Sequence, residues 1–191
     1  MGLNFILDQM TPEDREAAVL RAASFGRKLE TSPRIIFLVG VPGSGKSKWR
    51  AKYLSENTDR KTAIVSTDDL IEVYAAEHGQ TYSQAHRELD LNVLDKQCGA
   101  AVRVAVAKGE DIIIDRTNMR YKPRNRFLSQ VSKRYTRVAV LFCVDCDTVR
   151  SRLASRRQAT GKHVPFSVAQ EMFSTYQAPT TDEFDLIGVY P

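Results

Sequence analysis

From Arg34 the chain runs RIIFLV without a polar interruption, and three further runs of this kind follow: TAIVS at 62–66, DIIID at 111–115 and RVAVLFCV at 137–144. Each is apolar and β-branched throughout rather than alternating, the pattern of a strand buried on both faces. Between the runs, apolar residues recur at helical spacing, which predicts helices over about 46–57, 69–78, 83–107, 123–134, 147–157 and 166–177. Gly109, directly after the 83–107 segment and Lys108, is a stop signal. Ahead of the first strand, Thr11 stands as an N-cap, Pro12 at the first helical position and Asp14 in capping-box spacing, so a helix over about 12–30 is expected. Strands alternating with helices imply an α/β fold with a parallel sheet, in which ligands gather at the carboxyl ends of the strands. No repeat, low-complexity tract or long linker interrupts the 191 residues, so one domain spanning 1–191 is expected.

The polar residues that follow each apolar run therefore carry the candidate chemistry. After the first comes GVPGSGKS, in which Gly40, Gly45, Lys46 and Ser47 satisfy GxxxxGK[ST]. Glycines there let backbone N–H groups turn inward, the following helix adds positive potential, Lys46 reaches the β- and γ-phosphates and the Ser47 hydroxyl ligates Mg²⁺. Val41, Pro42, Gly43, Ser44, Gly45, Lys46, Ser47 and Lys48 are thus expected to hold a nucleoside triphosphate, ATP, with Mg²⁺ as the accompanying metal. This motif on a buried strand narrows the fold to a three-layer α/β/α P-loop NTPase of the kinase-like kind.

After the second run stand Asp68 and Asp69, where a strand hands over to a helix. One acid suffices to cap a helix; a second is available to accept the proton of an acceptor hydroxyl, a role worth about 10²–10⁴ in rate. Asp68, nearer the strand tip, is the candidate base, and Asp69 sits at the helix start on the substrate side. The third run ends in Asp115, readable either as part of the metal's shell or as a turn residue. Asn118 faces the same cleft, and Arg120, Lys122, Arg124 and Arg126 form a cluster where the acceptor's own phosphates could lie. Farther on, RSRLASRRQATGKHVP reads as a helix whose end breaks into a lid carrying Arg156 and Arg157, or as a solvated basic helix end. Asp145 and Asp147 before it are read as caps.

Composition changes the picture in three places. The net charge of +5 hides a segment, 116–162, with 13 Lys/Arg against two acids, so phosphate or nucleic acid competes with plain solvation as its explanation. Cys98, Cys143 and Cys146 are too few and too irregular for a disulfide framework or a four-ligand zinc site. No apolar run approaches the roughly 18 residues of a membrane span, and the N-terminus resembles neither a secretory signal nor a transit peptide, so a soluble cytoplasmic protein is expected.

Taken in order, GVPGSGKSKW, the DD pair, IIIDRTN with a basic helix start, and SRRxxxxGKHVP ahead of helix 166–177 resemble the phage-type polynucleotide 5′-hydroxyl kinases, P-loop kinases of the AAA-like ATP-binding group. The likeness runs from about Arg34 to Asp185 and leaves 1–33, the helical extension, outside it. It implies ATP-dependent phosphorylation of the 5′-hydroxyl end of DNA or RNA, of the end-healing type, with Asp68 as base, Lys46 and Ser47 on ATP and metal, and Arg156 or Arg157 as the lid arginine. Two positions depart from the family pattern. Ile71 stands where the phage motif carries an Arg for the acceptor's phosphate, which suits a neutral small-molecule acceptor such as a nucleoside. Arg116 replaces the acid of the family's DTN.

Overall fold

In the computed structural model, residues 32–190 are described; the helix expected over 12–30 lies outside them. Five strands form one sheet in the order β2-β3-β1-β4-β5: β1 Arg34–Val39, β2 Thr62–Val65, β3 Asp111–Ile114, β4 Thr136–Phe142 and β5 Leu186–Tyr190. Every neighbouring pair is parallel, with Ile36 beside both Ile113 and Val138 at the centre. The helices are α1 Lys46–Glu56, α2 Thr67–Glu77, α3 Tyr82–Glu88, α4 Leu91–Lys108, α5 Tyr121–Leu128, α6 Cys146–Thr160 and α7 Phe166–Ser174.

The uninterrupted apolar runs are explained by burial on both faces. Ile35, Phe37 and Val39 of β1 join a large cluster with Cys98, Val102 and Ala105 of α4 and Phe127 and Leu128 of α5. Ile36 and Leu38, pointing the other way, pack with Trp49, Tyr53 and Leu54 of α1. Each such side chain removed from water contributes about 1.5–3 kcal/mol before chain entropy is set against it. The result is three layers, helix, sheet and helix, as the pattern predicts. Among the described residues no helix is long and apolar enough to cross a membrane, and the three thiols are unpaired with one another.

Several elements differ from expectation: the helix expected over 123–134 is α5, which starts at Tyr121 and ends at Leu128. The 83–107 helix is two helices, because Leu89 turns extended and Asp90 caps α4 by accepting from the Asn92 N–H. Its first half, α3, opens on a capping box between Thr81 and Gln84. The edge strand β5 is absent from the sequence reading; its LIGVY is short, carries Gly188, and is exposed at Gly188 and Val189, so neither a buried run nor an alternation marks it.

Strand order positions the site. β2, β3 and β1 lie side by side, so their carboxyl ends bring the acid pair, Asp115 and the Gly40–Ser47 loop into one row, with Asp115 in the middle. Cross-strand ties fix these ends: the Asp115 N–H donates to Val65 O at 2.9 Å and the Gly40 N–H to Thr117 O at 3.0 Å.

Candidate active site

The loop after β1 closes on itself. Gly40 cannot carry a side chain, since a Cβ there would sit 2.6 Å from Ser44 Oγ and 2.9 Å from Phe142 Cβ. Gly45, the N-cap of α1, has φ 106°, a conformation glycine adopts without strain. No side chain caps α1 and no acid stands in its first turn, so its leading N–H groups are left for an anion. Lys46 Nζ donates to Gly40 O and Val41 O at 2.8 Å each. Burial lowers its pKa to about 8, although the charges of Asp115 and Asp68 pull it back up; Arg156 pushes it further down. A compact uncapped helix start with a desolvated lysine fits the phosphate tail of a nucleotide. The exposed Ser47 beside it and Asp115 at the next strand tip form an oxygen donor set that fits Mg²⁺.

Asp115 is pushed up by burial, against the opposing charges of Arg50 and Lys46. Arg50 Nη1 lies 2.9 Å from Asp115 Oδ2 and donates to Asp69 Oδ2 at 2.8 Å, clamping two carboxylates from adjacent strand ends. Sequence reasoning passed over Arg50, although it stands four residues after Lys46 and hence on the same face of α1. Asp69 is therefore tied through Arg50 to Asp115, while its backbone N–H donates to the Ser66 hydroxyl that caps α2.

Asp68, the other acid, turns to a different set of partners. Tyr82 Oη donates to its Oδ1 at 2.7 Å and Lys162 Nζ to its Oδ2 at 2.7 Å. Burial raises its proton affinity, but the hydrogen bond and charge of Lys162, with help from Tyr82 and Arg156, outweigh it and hold the carboxyl below its ordinary range. The charge of Arg156 acts on Lys46, Asp68 and Tyr82 alike, whereas Arg157, one residue on, is exposed. Arg152 reaches the phosphate loop itself, Nη1 donating to Gly43 O at 3.3 Å.

Several expectations need correction. The helix expected to break before QATGK continues as α6 to Thr160, whose hydroxyl donates to Arg156 O, and ends on Gly161 at φ 69°. Arg124 is not an acceptor-phosphate ligand. Its side chain is 0% exposed, forks onto Glu183 with two 2.8 Å bonds, and donates to Asn118 O and Gln177 O. Asn118 likewise serves the fold rather than a substrate: at φ 50° its amide donates to Leu38 O and Ile114 O at 2.9 Å, clasping β1 to β3. Arg120 remains exposed at the start of α5. Ile71 does not line the cleft; it is 1% exposed among Ala75, Ala85 and Leu94, so it carries no information about a neutral acceptor.

A phosphate loop on the central strand of a parallel α/β/α sheet, with acids at the neighbouring strand tips, defines a P-loop fold of the kinase-like kind. A family model described as AAA domain matches residues 35–179, and the chain belongs to that family. Among curated proteins it is 26% identical over 147 residues to the Homo sapiens heterogeneous nuclear ribonucleoprotein U-like protein 2, covering 76% of this chain and 20% of that protein. The chain thus spans about a fifth of the length of that relative and of its Mus musculus counterpart. Three solved structures share the fold. Chaetomium thermophilum Kti12 in complex with ADP-AlF3 superposes with a TM-score of 0.56 at 18% identity, over 82% of this chain and 88% of that one. A chain of the Pnkp1/Rnl/Hen1 RNA repair complex gives 0.58 at 20% identity, over 75% and 44%. A gluconokinase from Sinorhizobium meliloti gives 0.50 at 18% identity, over 82% and 81%.

Proposed function

We propose that this chain is an ATP-dependent phosphotransferase that moves the γ-phosphate of ATP onto the 5′-hydroxyl end of a polynucleotide, DNA or RNA. The observation that carries this reading is the placement of Asp68: its carboxylate is pinned at both oxygens, kept ionised, and shares the fields of Lys46 and Arg156 at the mouth of the phosphate loop. The acceptor oxygen forms a bond to the γ-phosphorus, the bond from that phosphorus to the β-phosphate's bridging oxygen breaks, and the hydroxyl proton passes to Asp68. Lys46 and Arg156 offset the charge that gathers on the transferring and leaving oxygens. Mg²⁺, held by the Ser47 hydroxyl with Asp115 beside it, would supply further charge neutralisation on the triphosphate. The exposed cations of the basic segment, Arg120 and Lys122 among them, suit an acceptor that brings its own phosphates.

Solved structures of an RNA repair complex and of a gluconokinase share this fold, so the competing acceptor is a small-molecule hydroxyl. An assay of labelled γ-phosphate transfer decides between them, run across 5′-hydroxyl DNA, 5′-hydroxyl RNA, nucleosides and sugar acids. Oligonucleotides should be the preferred acceptors, and Asp68→Asn should lower kcat by about 10²–10⁴ with nucleotide affinity retained. Robust transfer by Asp68→Asn overturns the base assignment; a small hydroxyl that outcompetes both polymers overturns the acceptor.

A further inference from the structure

We propose that Lys162 is a positioning residue for phosphoryl transfer: reaching back from the end of α6, it fixes the Asp68 carboxylate and couples the seating of the arginine-bearing helix to activation of the acceptor. This rests on the kinase reading above and adds a residue to it. A lysine normally keeps its ammonium in water and buries only its stem. Here the whole side chain is 5% exposed, and three partners from two other elements offset the lost hydration. Nζ donates to Asp68 Oδ2 at 2.7 Å and to Glu72 Oε1 at 3.2 Å, and lies 3.7 Å from the centre of the Tyr82 ring. Asp68 and Glu72 are four residues apart and present one face of α2. Tyr82 is the first residue of α3, and its hydroxyl bonds Asp68 Oδ1 while its ring lies beside the ammonium.

The consequence for Asp68 is geometric. Each of its oxygens accepts one hydrogen bond, from a lysine on one side and a phenol on the other, so the carboxylate plane is set and a lone pair on each oxygen remains for the acceptor. Asp68 is itself 51% exposed, so without these donors its plane would be free to turn in solvent. Lys162 directly follows Gly161, the left-handed cap of α6, and that helix also carries Arg156 toward the phosphate loop. One connection therefore delivers both the arginine for the donor phosphate and the lysine for the acceptor's base, which is what couples their seating in this proposal.

Electrostatics give this role a signature that a structural role lacks. The groups facing Asp68 are Lys162, Tyr82 and Arg156, which favour its ionised form, against the partial desolvation of the half-exposed carboxyl; Glu72 shares the Lys162 ammonium, and Lys46 and Asp115 share the field from the donor side. Removing Lys162 takes away the hydrogen bond and the charge that most favour the carboxylate, so Asp68 binds its proton more readily and the acid limb of the pH–rate profile moves to higher pH.

The decisive experiment is the pH dependence of kcat with saturating ATP for wild type, Lys162→Met, Lys162→Arg and Tyr82→Phe, with nucleotide affinity measured beside it. Lys162→Met should lower kcat at least ~10-fold, part of what a placed base supplies, move the acid limb to higher pH and leave the ATP dissociation constant within about twofold. Lys162→Arg should restore most of kcat and return the limb. Tyr82→Phe, which keeps the ring and loses one donor, should move it the same way by less. An acid limb unmoved in Lys162→Met overturns the proposal whatever happens to kcat; should that variant fail to fold, an unmoved limb in Tyr82→Phe does so. Asp68→Asn separates the two levels: if it retains transfer, the kinase reading of Asp68 fails, whereas its inactivity beside a wild-type Lys162→Met removes only the lysine's part.

Discussion

Lys46 Nζ, held between the carbonyls of Gly40 and Val41, is a lysine that has given up part of its charge before any ligand arrives. Burial brings its pKa from 10.5 to about 8. In the unfolded chain the same lysine stays protonated across that window, so the folded, nucleotide-free chain binds fewer protons between pH 8 and 10.5, and this group makes stability rise with pH there. Nucleotide binding runs the other way: an anionic phosphate tail in place of the carbonyls restores the ammonium and draws a proton from solvent. Calorimetry at pH 8 in buffers of different ionisation enthalpy should therefore register uptake of about half a proton per nucleotide bound, and affinity should weaken above pH 8 toward about tenfold per pH unit. Lys46→Met should abolish the uptake. Binding with no proton exchange at pH 8 in the wild-type chain would show that the lysine does not meet the phosphates.

At the scale of elements, Arg124 shows how a fold takes residues that a sequence reader assigns to a substrate. The guanidinium lies wholly inside, its fork on Glu183, joining α5 to the segment that leads into β5. Removing one partner leaves a buried charge unpaired, so Glu183→Ala should cost about 3–5 kcal/mol in urea unfolding, and the apolar pair Arg124→Met with Glu183→Leu should recover most of it. A single variant within about 1 kcal/mol of wild type would mean that water reaches the guanidinium. This residue also marks the limit of what the sequence discloses. Strands β1 to β4 were legible because burial on both faces leaves uninterrupted apolar runs, and the phosphate loop because its backbone geometry demands glycines at set places. The break at Leu89–Asp90 was hidden, since apolar spacing carries on through it. A basic residue reads as surface in one dimension; only the third shows Arg124 inside, Lys162 under Asp68, and Arg50 between two acids from different strands.

For the molecule as a whole, the basic excess in 116–162 divides into an internal and an external part. Asp95 is bridged by Arg116 and Arg126, Glu183 holds Arg124, Asp68 with Glu72 holds Lys162, Arg152 donates to Gly43 O and the charge of Arg156 acts on Lys46 and Asp68, so at least six of the thirteen cations are committed to the fold or the site. Arg120 and Lys122 are exposed at the start of α5, at the carboxyl-end side of β3 where Asp115 also lies. A polynucleotide passing this rim toward Asp68 releases counterions from each phosphate it places against a cation, which makes the logarithm of its affinity fall with the logarithm of salt, by about 0.7 per phosphate for a single strand. Arg120→Ala should flatten that dependence by about 0.7 and weaken all sequences alike, measured by fluorescence anisotropy of a labelled 5′-hydroxyl oligonucleotide across salt. The kcat for a saturating acceptor should change far less, since on the proposed reading Arg120 meets the strand away from the reacting atoms. An uncharged small acceptor has no counterions to release, so an acceptor affinity indifferent to salt in both wild type and Arg120→Ala would move the assignment from a strand end to a small hydroxyl while leaving the donor half of the site as described.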